Sequence, residues 1–105
     1  MKNEFIILRK VDNKGKVIHW VEINREGFYN LMVEIRDNFI NNNVYSSMFV
    51  KEIPNISEIS IDDERRADID NPFVILKLED GTRKTFYIPR WHRVIWAIMD
   101  ELLKT

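Results

Sequence analysis

The sequence predicts an α+β domain: a mostly antiparallel sheet of four to six strands with two amphipathic helices packed on it, in the order ββαβ(β)ββα. Three stretches carry that prediction. Residues 4–23 alternate apolar and polar side chains on both sides of a turn signal. Residues 24–41 repeat apolar side chains at helical spacing. Residues 72–104 read as a strand, a tight turn, a returning strand and a helix. With 105 residues, the chain 1–105 is a single domain. A chain of this size buries about two thirds of the surface its unfolded form exposes, enough for one core.

In the first hairpin Phe5, Ile7, Val11, Val17, Val21 and Ile23 share one face at period two. Asp12-Asn13-Lys14-Gly15 supplies the turn, with Gly15 suited to the left-handed position of a three-residue loop. This register sets Ile7 against Val21, Phe5 against Ile23, Arg9 against His19 and Leu8 against Trp20. Both faces carry apolar residues, so neither is expected to stand fully in water. Asn24 then caps a helix that runs to about Asn41. Its apolar stripe is Phe28, Leu31, Met32, Ile35, Phe39 and Ile40. Asn41-Asn42-Asn43 ends it, because asparagine tolerates the left-handed conformation.

Residues 44–53 fit a helix through Tyr45, Met48, Phe49 and Glu52, and a strand through Val44, Ser46, Met48 and Val50. Their β-branched and aromatic content favours the strand. Pro54-Asn55 breaks the chain, Ile59 and Ile61 alternate with Glu58, Ser60 and Asp62 in a short strand, and residues 62–72 form a charged loop. The apolar run from Phe73 leads into Asp80-Gly81, which reads as a two-residue type I′ turn. That turn sets Lys77 against Lys84 and Ile75 against Phe86, with Val74, Leu76 and Leu78 meeting Tyr87, Thr85 and Arg83 on the other face. The Lys77–Lys84 like-charge pair is mildly destabilising. Pro89 opens the last helix, where a missing N–H costs little. Its main stripe is Trp91, Val94, Ile95, Ile98 and Leu102, widened by Trp96, Met99 and Leu103.

Composition narrows the function classes. Hydrophobic residues make up 45% and charged residues 31%, the balance of a folded globular protein rather than a disordered one. The absence of cysteine excludes disulfides, thiolate metal sites and a cysteine nucleophile. No run approaches the roughly 20 apolar residues that span a bilayer, and the start of the chain reads as a strand rather than a signal peptide. A cytoplasmic protein without membrane contact is expected. A net charge of −1 gives no support to nucleic-acid binding.

No catalytic motif is present. Asp62, Asp63, Glu64, Asp68 and Asp70 offer oxygen ligands, but their spacing lacks the glycine and closing glutamate of an EF-hand loop, and Arg65 and Arg66 neutralise them from within. His19 and His92 have no nucleophile or partnered carboxylate at a recognisable spacing. The glycines, Gly15, Gly27 and Gly81, lie too far apart for a phosphate-binding loop. Neither an enzyme, nor a cofactor, nor a metal site is expected.

What remains points to binding. The last helix carries more apolar surface than one small sheet face is expected to cover, and aromatic and methionine side chains are enriched where proteins meet. Trp96, Met99 and Leu103, with Trp20, are therefore the expected anchors of a protein interface, the partner being another protein or a second copy of the chain. Such a chain fits an accessory protein of a phage or mobile element. The rival expectation is a single-stranded DNA or RNA binder. In it Lys77, Arg83, Lys84, Arg90 and Arg93 hold phosphates while Tyr87 or Trp91 stacks on bases. The charge is also segregated, with acidic side chains concentrated between Glu52 and Asp70 and basic ones between Lys77 and Arg93.

Overall fold

A computed structural model describes residues 4–12, 14–40, 44–62, 73–87 and 93–104. Strand β1 (Phe5–Val11) and strand β2 (Val17–Asn24) form the first hairpin. The Asp12 carboxylate accepts the backbone N–H groups of Lys14 and Lys16, each at 2.9 Å, and Gly15 holds φ at 79°, as the turn chemistry requires. At the tip the register is the expected one, with Val11 opposite Val17. Lys10, however, lies opposite His19, so Ile18 is an extra residue in β2. This bulge moves every later pair by one position. Ile6 faces Ile23, Leu8 faces Val21 and Arg9 faces Trp20, correcting the predicted pairs. The buried face of β1 is therefore Ile6 and Leu8, not Phe5 and Ile7.

Helix α1 (Arg25–Ile35) is capped by Asn24, whose side chain accepts the Gly27 N–H at 2.9 Å. It buries Phe28, Met32 and Ile35, then continues as a π-helical turn, Arg36–Ile40. Residues 44–52, expected as a strand, are instead helix α2 (Val44–Glu52). Tertiary packing overrides strand propensity here. Phe49 and Val50 insert into the core, and the Phe49 ring meets Phe28 and Phe86 edge-on with centroids 6.3 Å away in both cases. A 3₁₀ turn, Ile53–Asn55, with Pro54 in its first turn, leads into strand β3 (Ile56–Asp62).

This helical connection returns the chain to the end of the sheet where β1 begins, so β3 runs parallel to β1. The other pairings are antiparallel: β1 with β2, β3 with strand β4 (Phe73–Leu78), and β4 with strand β5 (Arg83–Tyr87). The five-stranded sheet is thus mixed, in the order β2-β1-β3-β4-β5.

The β4–β5 loop is one residue longer than predicted. The Leu78 N–H donates to the Thr82 carbonyl at 2.8 Å, the Gly81 N–H donates to the Leu78 carbonyl at 2.9 Å, and Gly81 sits at φ 88°. This is a three-residue loop with glycine in the left-handed position. It sets Val74 against Phe86, Leu76 against Lys84 and Lys77 against Arg83, in place of Lys77 against Lys84. The change has a packing reason: Phe86 now points to the same side as Val74 and Leu76, into the core, where the shorter turn would have aimed it outward. Asp80 accepts the Thr82 N–H at 2.9 Å, and this bond holds its carboxyl below the ordinary aspartate value. The bond's contribution to the turn is complete above the ordinary value and is lost as the pH falls through the lowered one.

Helix α3 (Arg93–Leu103) packs beside α1 and over β1 and β2. It turns Ile95, Trp96, Met99 and Leu103 inward, while Val94 stands 38% exposed. The stripe is thus centred on the residues expected at its margin. Helices α1, α2 and α3 contribute to one core with Ile6, Leu8, Ile23, Ile59, Ile61, Val74 and Leu76 of the sheet. No helix among the described residues is long and apolar enough to cross a membrane.

Candidate functional site

The helical layer covers one face of the sheet. Strand alternation sends every second side chain to the other face. Two rows of paired residues cross all the strands there. One row runs Glu22, Ile7, Glu58, Lys77, Arg83; the next runs Trp20, Arg9, Ser60, Ile75, Thr85. Ile7 and Ile75 are partly buried but stand outside the hydrophobic core cluster. Trp20 is 55% exposed and Phe5, beside the first row, is 41% exposed.

The charges on this outer face are unevenly matched. Arg9 Nη1 and Glu58 Oε2 form an ion pair at 2.6 Å, with both side chains partly buried. Lys77 and Arg83 stand directly opposite one another on β4 and β5, and no ion pair engages either among the described residues. A depression of about 180 Å³ opens between the first hairpin's turn and this pair, lined by Arg9, Gly15, Glu58, Ser60, Lys77 and Arg83 among others. A larger depression, about 480 Å³, lies at the start of α1. Its guanidinium, Arg25, is engaged by the Ile53 and Ile56 carbonyls and by Glu79, which makes it a tie within the fold.

The expected anchors do not gather on one surface. Trp96, Met99 and Leu103 are 8%, 0% and 5% exposed, covered by the chain itself, so the expectation that they form uncovered surface is corrected. The reason is that α1 and the β1–β2 face together enclose α3, a coverage that the sequence order leaves open. Trp20 alone of those four stands open.

The basic-aromatic region also divides. Lys77 and Arg83 share the outer face, whereas Lys84 points to the helical side and pairs with Glu52 at 2.9 Å. Tyr87 ends β5 and Arg93 begins α3, with their side chains outside the described set; Arg90 and Trp91 lie outside the described residues altogether. His19 is exposed opposite Lys10, and His92 lies outside the described residues. Asp62 ends β3, and the rest of the acidic loop, with Asp63, Glu64, Asp68 and Asp70, lies outside the described residues. Among the described residues no group of three or more His, Asp or Glu side chains is arranged to hold a metal.

The Arg9–Glu58 pair had no sequence signal, since its members are 49 positions apart and meet only through the parallel β1–β3 pairing. Comparison with protein-family models, with curated proteins and with solved structures gave no match.

Proposed function

We propose that the chain is a non-enzymatic binding module whose partner is another protein, in the first instance a second copy of itself, joined through strand β2. The observation that carries this reading is an unguarded sheet edge bearing an exposed tryptophan. An edge strand offers a row of unpaired N–H and C=O groups to any other strand, and folded proteins commonly blunt such edges with lysine, proline or other charged residues. The β5 edge has Arg83 and Lys84. The β2 edge, Val17–Asn24, has Glu22 as its single formal charge and carries Val17, Ile18, Trp20, Val21 and Ile23. The bulge at Ile18 blunts the tip, but the ladder from His19 to Asn24 is regular.

A second copy that joins antiparallel, in a register centred on Trp20 or Val21, keeps both outer faces on the same side. The Trp20 side chains of the two copies then lie close together over the joint. Tryptophan is over-represented among residues that dominate interface energy. Sedimentation equilibrium tests the reading. The wild-type chain is expected to exceed its monomer mass at accessible concentrations. Trp20→Lys is expected to sediment as a monomer with unchanged circular dichroism and a stability within about 1 kcal/mol of wild type, because the side chain is exposed. A wild-type chain that stays monomeric throughout removes self-association.

One observation favours the second reading, a single-stranded nucleic-acid binder: the adjacent cations Lys77 and Arg83 on the sheet face opposite the helices, which also bears the exposed Trp20 and Phe5. Oligonucleotide binding that falls steeply between low and moderate salt supports it, and no binding at low salt eliminates it.

A further inference from the structure

We infer that the depression between the first hairpin's turn and the Lys77–Arg83 pair is a binding site for a phosphate group. Its lining runs from the β1–β2 turn across β1, β3 and β4 to β5 and includes no residue of strand β2, so it stands whether or not a second copy pairs along that strand.

The argument begins with a cost. Like charges directly opposite one another on adjacent strands destabilise a sheet. Lys77 and Arg83 are such a pair, and Lys77 is only partly exposed. Three cations packed against the sheet or its loops are matched among the described residues. Lys84, the next residue along β5, turns to the opposite face and meets Glu52; Arg25 meets Glu79; Arg9 meets Glu58. Glu58 is the carboxylate nearest Lys77 in register, and its Oε2 is already taken by Arg9 at 2.6 Å. The depression therefore keeps an excess of positive charge that the chain does not neutralise among its described residues.

The remaining lining suits an oxyanion. Arg83 offers a planar fork of N–H donors, Lys77 an ammonium and Ser60 a hydroxyl. Gly15 at the rim has no side chain to obstruct entry. A volume of about 180 Å³ accommodates a phosphate group but is smaller than the roughly 300–1,000 Å³ of pockets for larger organic ligands. The shared chemistry is the phosphate oxyanion, delivered free or on the backbone of a single strand.

The test is an amide NMR titration of the full chain at low ionic strength, with inorganic phosphate in one arm, a deoxythymidine decamer in the second, and sodium chloride at matched ionic strength as the control. Saturable phosphate shifts are expected at Gly15, Ser60, Lys77 and Arg83, with at least fivefold weaker binding in Lys77→Gln and in Arg83→Gln. Lys84→Gln, on the opposite face, is expected to bind within twofold of wild type. Arg83→Gln, which relieves the like-charge pair and leaves Lys77 opposite Glu58, is also expected to raise the phosphate-free Tm by about 1–4 °C, a readout that loss of fold would reverse. Saturable phosphate binding without decamer binding supports the site and removes the nucleic-acid reading. Decamer binding abolished by the same two variants supports both. Shifts that chloride reproduces, or equal weakening in Lys84→Gln, overturn the site.

Discussion

Replacing Phe49 with alanine is expected to destabilise the fold by about 3–5 kcal/mol, the cost of deleting a buried aromatic side chain. For a domain of this size that is a large share of a total stability of about 5–15 kcal/mol. Phe49 is 1% exposed and its ring joins three elements, meeting Phe28 of α1 and Phe86 of β5 from its own place in α2. Each edge-on pair contributes about 0.5–1.5 kcal/mol beyond the area it buries. Met48, the preceding residue of the same helix, is 52% exposed, and Met48→Ala is expected to change stability by less than about 0.5 kcal/mol. Urea unfolding followed by circular dichroism separates the two. A loss below about 1 kcal/mol for Phe49→Ala, or equal losses for both variants, contradicts the packing of α2 against the sheet.

The same residue marks where the sequence stops being readable. Over a stretch this short residues 44–53 suit either period, the helix through Tyr45, Met48, Phe49 and Glu52 and the strand through Val44, Ser46, Met48 and Val50. Rings at Phe28 and Phe86, 21 and 37 positions away, decide it, and no local pattern reports them. Elements with an unambiguous period were legible: the first hairpin, α1 with its Asn24 cap, the short strand β3, the second hairpin and α3.

Their registers were not. One residue accommodated as a bulge at Ile18, and one extra residue in the loop ending at Gly81, each reverse which side chains face the core. Those two slips govern the outer face. They bring Trp20 opposite Arg9, separate Lys84 from Lys77, and pair Lys77 with Arg83 instead. Trp20, Lys77 and Arg83 were thus visible as candidate residues, while their grouping on the outer face depended on backbone detail. The apolar surplus of the last helix was read from composition. It vanished because α1 and the β1–β2 face cover Trp96, Met99 and Leu103 together.

Arg25→Ala is expected to cost about 2–4 kcal/mol, through polar groups left unsatisfied rather than through a lost surface charge. The Arg25 Nη1 donates to the Ile53 carbonyl at 2.9 Å and to the Ile56 carbonyl at 2.5 Å, while Nη2 meets Glu79 Oε1 at 2.8 Å. Its side chain is 13% exposed. One guanidinium thereby ties the start of α1 to the turn before β3 and to the β4–β5 loop, where the Glu79 N–H also donates to the Asn55 carbonyl at 2.8 Å. The Ile53 carbonyl also accepts the Ile56 N–H, so the Ile56 carbonyl and the Glu79 carboxylate lose most when the guanidinium is removed.

Glu79 is 36% exposed, so its ion pair is screened, and Glu79→Gln is expected to cost less than about 1 kcal/mol. Arg25→Lys is expected to recover less than half of the alanine loss, since an ammonium on a single stem does not span the carbonyls and the carboxylate as the planar fork does. Urea unfolding of the three variants checks the order. If Arg25→Ala proves no worse than Glu79→Gln, the carbonyl contacts contribute little and the surface ion pair accounts for the whole effect. The predicted order instead requires that this arginine act chiefly as a clamp on the backbone where β3 begins, holding the parallel pairing that builds the outer face.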